Sequence, residues 1–305
     1  MKIAGMEIID FIFTVIAVAA ASLLIFACHG VRAEEKATPQ QLVMGFIPAE
    51  NNDTLIKDFD PLRRLLEKRT GCRIKLITVT DYTAVIEAMK KKRVDIAWFG
   101  PLSYVLAEQE AGAEAFAAGI SPKTGKSSYR SIITVPGNSP ARKLEDLKGK
   151  TFAFVDPAST SGGLIPRYMI KKATGLAPSE FFGKFIYAGS HDAAELAVKN
   201  KTVDGGVSDD VMYDRMIEKG LITKESNRII AISDEIPGAP LAYRADLPEN
   251  LKKIIKETVL NAHKEIKVLG YGAPVRYEEK TPKDYEMIKN LVKGLGLQRE
   301  QILKK

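Results

Sequence analysis

The segment Lys150-Thr-Phe-Ala-Phe-Val-Asp-Pro-Ala-Ser-Thr-Ser-Gly-Gly163 joins an apolar run to a polar turn, and the helix-like residues 164–174 follow directly. This succession predicts a strand, a turn and a helix, the repeating unit of α/β folds. Ser159, Thr160 and Ser161 would then lie at the start of the helix, beside backbone N–H groups that have no partner inside it and carry the positive end of its dipole. Such a turn can hold a phosphate-like oxyanion without any Arg or Lys.

The same turn also suits a purely structural role. Ser and Thr are preferred N-cap residues, and glycines such as Gly162 and Gly163 ease a tight turn. An isolated run of this kind is more often a helix cap than a binding site. The turn alone leaves both roles open, and the rest of the chain has to decide between them.

Apolar runs and helix-like stretches alternate along the chain after residue 40. Residues 42–47 predict a first strand and residues 59–69 the helix after it, and similar pairs recur as far as residue 232. This alternation predicts the α/β class, with mostly parallel sheets flanked by helices. The length left after a leader, about 270 residues, suits two lobes at roughly 100 to 150 residues per domain.

Two extended segments are expected to connect the lobes. They lie near residues 129–137 and 228–243. They predict a first lobe made of residues 41–132 and 233–305, and a second lobe made of residues 133–232. We expect a cleft between the two.

The charge distribution excludes some partners. The chain has a net charge of +7, and its basic residues are spread over amphipathic helices rather than gathered in one tract. Nucleic acid is therefore a poor candidate, whereas weak steering of anions is compatible with this charge. Only Cys72 would remain after removal of a leader, so no disulfide framework is expected.

Sequence signatures of enzymes are missing. The chain has no Gly-x-Ser-x-Gly elbow, and the Ser-Thr-Ser turn lacks the Gly-Lys-Ser/Thr of a nucleotide-binding loop. His29, His191 and His263 are isolated, and no pair of cysteines has the spacing of a metal site. We expect no metal, no cofactor and no enzymatic activity.

The first 33 residues are typical of an export signal. Their apolar stretch, residues 11–27, is too short and too near the start for an ordinary spanning helix. Two processing points compete: Val31-Arg-Ala33 resembles a cleavage site, and Leu24-Ile-Phe-Ala-Cys28 loosely resembles a lipoprotein box with Cys28 as the lipidated residue. An uncleaved membrane anchor is a third alternative, because the leader also carries acidic residues.

Six motifs occur along the chain in a characteristic order. They are Val94-Asp-Ile-Ala-Trp-Phe-Gly-Pro101, Tyr129-Arg-Ser131, Asp156-Pro-Ala-Ser-Thr-Ser-Gly-Gly163, Ala188-Gly-Ser-His-Asp192, Ala197-Val-Lys-Asn-Lys-Thr-Val-Asp204 and Ile236-Pro-Gly-Ala-Pro240. In this combination the chain resembles the solute-binding proteins of ABC transporters for phosphonate, phosphite or phosphate. The resemblance covers about residues 41 to 270.

The resemblance implies a type II periplasmic-binding-protein architecture, in which two lobes close around the ligand. In the family, the oxyanion is held by the Ser-Thr-Ser turn, by two tyrosines and by a histidine at a helix start. These roles map onto Ser159, Thr160, Ser161, Tyr82, Tyr129 and His191. The residue pattern agrees for the histidine, because an imidazole N–H at a helix start can donate to an anion. A capping role for the histidine and a half-buried strand-end role for each tyrosine stay open.

A second helix start is a further candidate for the cleft. Gly100-Pro-Leu-Ser103 opens a helix in the first lobe, where backbone N–H groups again lack partners. Phe99 and Ser103 are therefore secondary candidates. A plain helix cap is the alternative for Ser103.

One departure from the family bears on the ligand. Members that take aminoethylphosphonate have acidic residues that meet the amine, and the matching positions here are Val211 and Ala239. The resemblance therefore implies a small ligand without an amine, such as phosphite, methylphosphonate or phosphate. Asp209 and Asp210 lie close enough in sequence to replace one of those acids. Either could instead accept a hydrogen bond from a protonated P–OH oxygen, because an ionised carboxylate only accepts.

The resemblance also implies the partners. The protein is expected to act outside the cytoplasm as a monomer and to pass its phosphorus oxyanion to the membrane permease of an ABC transporter. Two alternatives keep the fold and change the role: a binding protein for another oxyanion such as a sulfonate, and a binding protein that reports its ligand to a sensor.

Overall fold

The computed structural model describes residues 40–268 and 270–302 of the 305-residue chain. The predicted leader, residues 1–33, and its lipidation candidate Cys28 lie outside the described residues. Within the described ranges, no helix combines the length and the apolar character needed to cross a bilayer.

Strands and helices alternate through the described chain. The strands are β1 (Gln41–Phe46), β2 (Arg73–Thr78), β3 (Ile96–Trp98), β4 (Ala113–Ile120), β5 (Ser128–Tyr129), β6 (Ser131–Pro136), β7 (Thr151–Phe154), β8 (Lys184–Tyr187), β9 (Gly205–Asp209), β10 (Asn227–Ile232), β11 (Ile236–Pro237), β12 (Pro240–Arg244) and β13 (Arg276–Glu279). The helices are α1 (Asn52–Thr70), α2 (Tyr82–Lys90), α3 (Pro101–Ala111), α4 (Ile165–Thr174), α5 (Pro178–Phe181), α6 (His191–Lys199), α7 (Asp210–Glu218), α8 (Glu249–Asn261), α9 (Glu286–Gly294) and α10 (Arg299–Ile302). A π-helical turn, Thr160–Leu164, leads directly into α4.

Two sheets organise two lobes, which confirms the predicted α/β class and two-lobed fold. The first lobe is built on a six-stranded sheet in the order β13-β4-β12-β3-β1-β2, and the second on a five-stranded sheet in the order β10-β6-β9-β7-β8. The chain leaves the first lobe after β4 and returns to it at β12. Both crossings therefore run beside the cleft between the sheets.

The sheets are mixed, so the expectation of mostly parallel sheets is wrong in this detail. In the first sheet, β1 pairs in parallel with β2 and β3, whereas β12 and β13 pair antiparallel with their neighbours. In the second sheet, β7 is parallel to β8 and β9, but β6 is antiparallel to β9 and β10. The parallel pairs belong to strand–helix–strand units. By contrast, β6 and β12 are reached through a crossing rather than through a helix, and each runs antiparallel to both of its neighbours.

The crossings pair with each other. Tyr129 of β5 lies opposite Ile236 of β11, and Ser128 lies opposite Pro237, in a two-stranded antiparallel ribbon. The extended segment expected near residues 129–137 is therefore divided at Arg130, and its second part joins the sheet of the second lobe as β6. The ribbon connects the two lobes.

The first helix begins earlier than the expected residue 59. Asn51 caps it, because the Asn51 side chain accepts a hydrogen bond from the Thr54 N–H at 3.1 Å. Gly71 ends it in the left-handed region at φ 72°. Phe59 lies on the buried face of α1, with its ring 4.6 Å from that of Phe46 on β1. Each fully buried Phe contributes roughly 1.5–3 kcal/mol, which fixes the helix against the sheet.

Candidate functional site

A cavity of about 90 Å³ lies between the two lobes. A cavity of this size suits a small ligand of a few heavy atoms rather than an extended one. The second lobe lines it with polar groups of Ser159, Thr160, Ser161, His191 and Asp209. The first lobe contributes mainly rings, glycines and small side chains, and Tyr129 comes from the connecting ribbon.

The Ser-Thr-Ser turn forms one wall of the cavity. Ser159 caps the π-helical turn, because its Oγ accepts from the Gly162 N–H at 3.0 Å. Thr160 Oγ1 accepts from the Leu102 N–H at 2.8 Å and so joins the second lobe to the start of α3 in the first. Since each hydroxyl is used as an acceptor in these bonds, its proton remains available for a ligand. The capping role and the lining of the cavity therefore coexist.

Glycine is required where this turn packs against the strand before it. A Cβ at Gly162 would lie 2.3 Å from the Cβ of Val155, and a Cβ at Gly163 would lie 2.4 Å from the carbonyl oxygen of Asp156. Both distances are far below van der Waals contact. The paired glycines thus hold the three hydroxyl-bearing residues close to the sheet, at a π-helical turn of the kind often found at functional sites.

His191 is the first residue of α6 and is buried. Its backbone N–H donates to the Ala49 carbonyl of the first lobe at 3.0 Å. Its ring Nε2 lies 3.4 Å from Asp209 Oδ2, and Nδ1 lies 3.4 Å from Ser208 Oγ. Burial lowers the pKa of His191 below its ordinary value of 6.5, against the raising effect of Asp209. The imidazole is therefore neutral at neutral pH and has a single N–H, which lies either on Nε2 beside Asp209 or on Nδ1 beside Ser208.

The two adjacent acids have different positions. Asp209 is buried, lines the cavity and caps α7, with Oδ1 accepting from the Met212 N–H at 2.8 Å. Asp210 is directed at the crossing instead: its Oδ1 accepts from the Arg130 N–H at 3.0 Å, and it is not among the residues that line the cavity. Burial raises the pKa of Asp210 to about 6. Of the two candidates, the structure brings only Asp209 to the cavity.

The two predicted tyrosines line the cavity. Tyr82 begins α2, and its buried hydroxyl makes no hydrogen bond within the described part of the chain, although the Ser159 side chain is nearby. The Tyr129 hydroxyl lies near the hydroxyls of Ser161 and Thr160. Burial raises the pKa of both phenols, so each is a neutral hydroxyl that can donate.

The two secondary candidates lie away from the cavity wall. Ser103 Oγ accepts from the Gly100 N–H and donates to the Gly100 carbonyl, both at 3.0 Å, so it closes the first turn of α3. Phe99 is fully buried in the core of the first lobe. Gly100, between them, is the residue of this segment that lines the cavity.

Sequence reasoning missed Trp98 and Tyr271. Both line the cavity, and their rings lie 5.0 Å apart. The Tyr271 hydroxyl donates to Asp209 Oδ2 at 2.7 Å and so crosses the cleft. Trp98 belongs to the family motif at residues 94–101, but that motif alone does not place its ring in the cavity. The only local signal for Tyr271 was its place between Gly270 and Gly272, both with positive φ, in a turn before β13.

Comparisons with known proteins agree with one another over most of the chain. Residues 44–285 match the model of a family described as the periplasmic substrate-binding protein of phosphonate ABC transporters. The chain is 34% identical over 253 residues to the phosphate-import protein PhnD of Mycolicibacterium smegmatis, a match that covers 78% of each chain.

Two solved structures are similar to this one. A binding protein component of an ABC phosphonate transporter from Pseudomonas aeruginosa superposes with a TM-score of 0.77 at 27% identity, covering 84% of this chain and 86% of that one. PhnD1 from Prochlorococcus marinus in complex with methylphosphonate superposes with a TM-score of 0.75 at 26% identity, covering 85% and 99%. The likeness thus includes both lobes and the cleft.

Proposed function

Because the chain belongs to the family of periplasmic substrate-binding proteins of phosphonate ABC transporters, we propose that its cavity binds one small phosphorus oxyanion, namely phosphite, methylphosphonate or phosphate. The lobes close around the anion, and the closed protein delivers it to a membrane permease. Relatives named for phosphate import, for phosphonates and for phosphite, and a relative in complex with methylphosphonate, support this class of ligand.

The observation that carries the proposal is a convergence of neutral donors. Hydroxyls from the Ser159–Ser161 turn, the phenols of Tyr82 and Tyr129, and the imidazole of His191 all line one small cavity. Among the described residues that line it, none is a Lys or an Arg. Several charge-assisted hydrogen bonds in a site closed to water stabilise an anion without a counter-ion.

Asp209 adds a constraint on the protonation state of the ligand. Its Oδ2 already accepts from Tyr271 and lies 3.4 Å from His191 Nε2, and as an acceptor it can take a further contact only from a donor. A ligand oxygen that carries a proton can supply such a donor, whereas a fully ionised oxyanion would be repelled. We therefore assign preference to the singly protonated form of the ligand.

The positions that meet the amine in aminoethylphosphonate binders carry no acid in this chain. Val211 and Ala239, the positions matched to acids in aminoethylphosphonate binders, both line the cavity and are apolar. A buried ammonium group needs a counter-charge, and the carboxylate that does line the cavity, Asp209, already accepts from the Tyr271 hydroxyl and the Met212 N–H. Aminoethylphosphonate should therefore bind more weakly than methylphosphonate.

The remaining assignments complete the proposal. The protein acts outside the cytoplasm as a monomer and catalyses no reaction, with the leader removed after Ala33 or with a lipid on Cys28. Residues 41–132 and 233–305 move as one lobe and residues 133–232 as the other. We expect the cavity to need no metal or cofactor, because the hydroxyl groups that line it can donate to an anion directly.

Calorimetric titration of the protein without residues 1–33 tests the proposal. The ligands are phosphite, methylphosphonate, phosphate, aminoethylphosphonate, sulfate and methanesulfonate. Tight binding of one of the first three, with weaker binding of aminoethylphosphonate, is the expected result. Tight binding of a sulfur oxyanion instead would overturn the ligand class, and heat from none of the six would favour a different solute.

A further inference from the structure

A cluster of charged side chains bridges the two lobes outside the cavity. Arg215 lies on α7 of the second lobe, and Lys219 is the C-cap residue of that helix. Glu50, which follows β1, and Asp58, on α1, belong to the first lobe. We call this cluster the Arg215 bridge. It is separate from the anion site, because Arg215 is not among the described residues that line the cavity.

Arg215 makes three contacts to the first lobe. Its Nη1 lies 3.0 Å from Glu50 Oε1 and donates to the Gly270 carbonyl at 3.3 Å. Its Nη2 donates to Asp58 Oδ2. Lys219 Nζ lies 3.7 Å from the other oxygen of Glu50. The guanidinium fork thus joins two carboxylates and a carbonyl, a geometry that the single ammonium of Lys cannot reproduce.

The bridge is buried, which distinguishes it from a second ion pair that crosses the cleft. The side chain of Glu50 is 2% exposed and that of Arg215 14% exposed. Lys123 also pairs with Asp214 across the cleft, but the Lys123 side chain is 70% exposed. Exposed pairs are screened by water and salt and contribute little, whereas removal of one partner from a buried pair is strongly unfavourable.

The burial of Glu50 depends on the lobes being together. The neighbouring Ala49 carbonyl accepts from the His191 N–H of the second lobe, so this part of the chain lies directly against α6 and α7. The cations that the structure places beside Glu50, Arg215 and Lys219, both belong to the second lobe. Separation of the lobes would return Glu50 to water, and closure without Arg215 would bury it beside Asp58 with Lys219, 3.7 Å away and partly exposed, as its remaining counter-charge.

We propose that Arg215 is a positioning residue for ligand binding, one that holds the lobes closed from outside the cavity and thereby slows release of the bound ligand. The inference rests on the proposed binding of a phosphorus oxyanion in the cleft. It extends that proposal, because Arg215 touches no ligand and acts through the equilibrium between open and closed forms. A ligand that binds only the closed form is held more tightly as the closed form becomes more populated.

Stopped-flow kinetics with methylphosphonate test the proposal, with the fluorescence of Trp98, the chain's single Trp, as the signal. In Arg215→Ala the dissociation rate should rise roughly tenfold or more, as expected when one partner of a buried pair is removed, while the association rate changes little. Arg215→Lys should fall between Arg215→Ala and the wild type. Arg63→Ala is the matched control, because Arg63 pairs with Asp60 and Glu67 within α1; its rates should equal those of the wild type.

A structural role alone would lower the unfolding temperature and leave the dissociation rate unchanged, and that result would overturn the proposal. Glu50→Gln provides a second variant if Arg215→Ala does not fold, and it too should release ligand faster. Small-angle scattering of the unliganded proteins separates the two proposals. If the wild type binds none of the oxyanions but Arg215→Ala is more extended than the wild type, the ligand assignment is wrong, while the proposal that the Arg215 bridge holds the lobes together is supported. If the wild type binds none of the oxyanions and Arg215→Ala is no more extended than the wild type, the proposed role of the Arg215 bridge is wrong as well.

Discussion

The two walls of the cavity differ in chemistry. The second lobe presents hydroxyl, imidazole and carboxylate groups, and residues at three helix starts carry them: Ser159 before the π-helical turn, His191 on α6 and Asp209 before α7. The first lobe presents mostly aromatic rings, including Trp98 and Tyr271. Donors at helix starts are in place before any ligand arrives, whereas rings exclude water only once the lobes meet. Under the proposed function, the second lobe would supply most of the polar contacts to the anion, together with the Tyr82 hydroxyl, and the first-lobe rings would strengthen these contacts by excluding water on closure.

The largest effect is expected from removal of a donor on the second-lobe wall. Thr160→Ala should weaken binding of the preferred oxyanion by about 1.5–3 kcal/mol, roughly tenfold to 150-fold, because a hydrogen bond to a charged ligand is lost. The Thr160 hydroxyl also accepts the Leu102 N–H, so the variant loses one contact between the lobes. Calorimetry on the folded variant measures the change.

Thr160→Ser is the matched control for this variant. It keeps the hydroxyl and removes only the methyl group, so its affinity should stay close to that of the wild type. Equal losses in the Ser and Ala variants would assign the effect to packing and would remove Thr160 from the donor set.

An intermediate effect is expected where an acid is added to the first-lobe wall. Ala239→Asp should raise the affinity for aminoethylphosphonate relative to methylphosphonate about tenfold, because an ion pair inside the cavity offsets the desolvation of the amine. Ala239→Asn has nearly the same shape without the charge and should show no such shift. A parallel loss of both ligands in the two variants would mean that position 239 does not face the substituent on phosphorus.

A smaller effect is expected from the hydrogen bond that joins the two walls. Tyr271→Phe removes the donor to Asp209 Oδ2 and should weaken binding by about 0.5–1.5 kcal/mol, roughly twofold to tenfold. The loss should be greatest at a pH where the ligand is fully ionised, because in the variant neither the side chain at position 271 nor the ligand then donates to Asp209 Oδ2. Tyr104→Phe, whose hydroxyl lies in the core of the first lobe near Ala115, should leave the affinity unchanged. A pH-independent loss in Tyr271→Phe would contradict the role given to Asp209.

The second-lobe wall was easier to predict from the sequence than the first-lobe wall. The Ser-Thr-Ser turn and His191 belong to helix starts, which leave strong local signals in caps and glycines. Tyr271 contacts the site from a loop more than 60 residues after Asp209, and no local pattern fixes that approach. Nor could the sequence decide between Asp209 and Asp210, because the chain turns from strand to helix there and only the pairing of Asp210 with the Arg130 backbone sets which carboxylate faces the cavity.

The smallest effect on binding is expected from replacement of Glu195, which lies behind the second-lobe wall. This replacement should instead change the pH dependence of the free energy of unfolding. This fully buried carboxyl group of α6 accepts from Thr134 Oγ1 at 3.0 Å and from Asn227 Nδ2 at 2.6 Å. Burial raises the pKa of Glu195 from 4.5 to about 7. Because the folded protein holds this proton more tightly than the unfolded chain, the stabilisation is fully present below pH 4.5 and is lost as the pH rises through about 7.

Glu195→Gln should therefore flatten the pH dependence of the free energy of unfolding between these limits, by an amount on the order of a few kcal/mol at roughly 1.4 kcal/mol per pKa unit. Denaturant unfolding at several pH values measures this slope, and titration at one pH checks that the ligand affinity has not changed. An unchanged slope would mean that Glu195 is ionised in the folded protein. A large loss of affinity would mean that α6 shifts when the carboxyl group is replaced, and that the second-lobe wall is less preorganised than the comparison of the two walls requires.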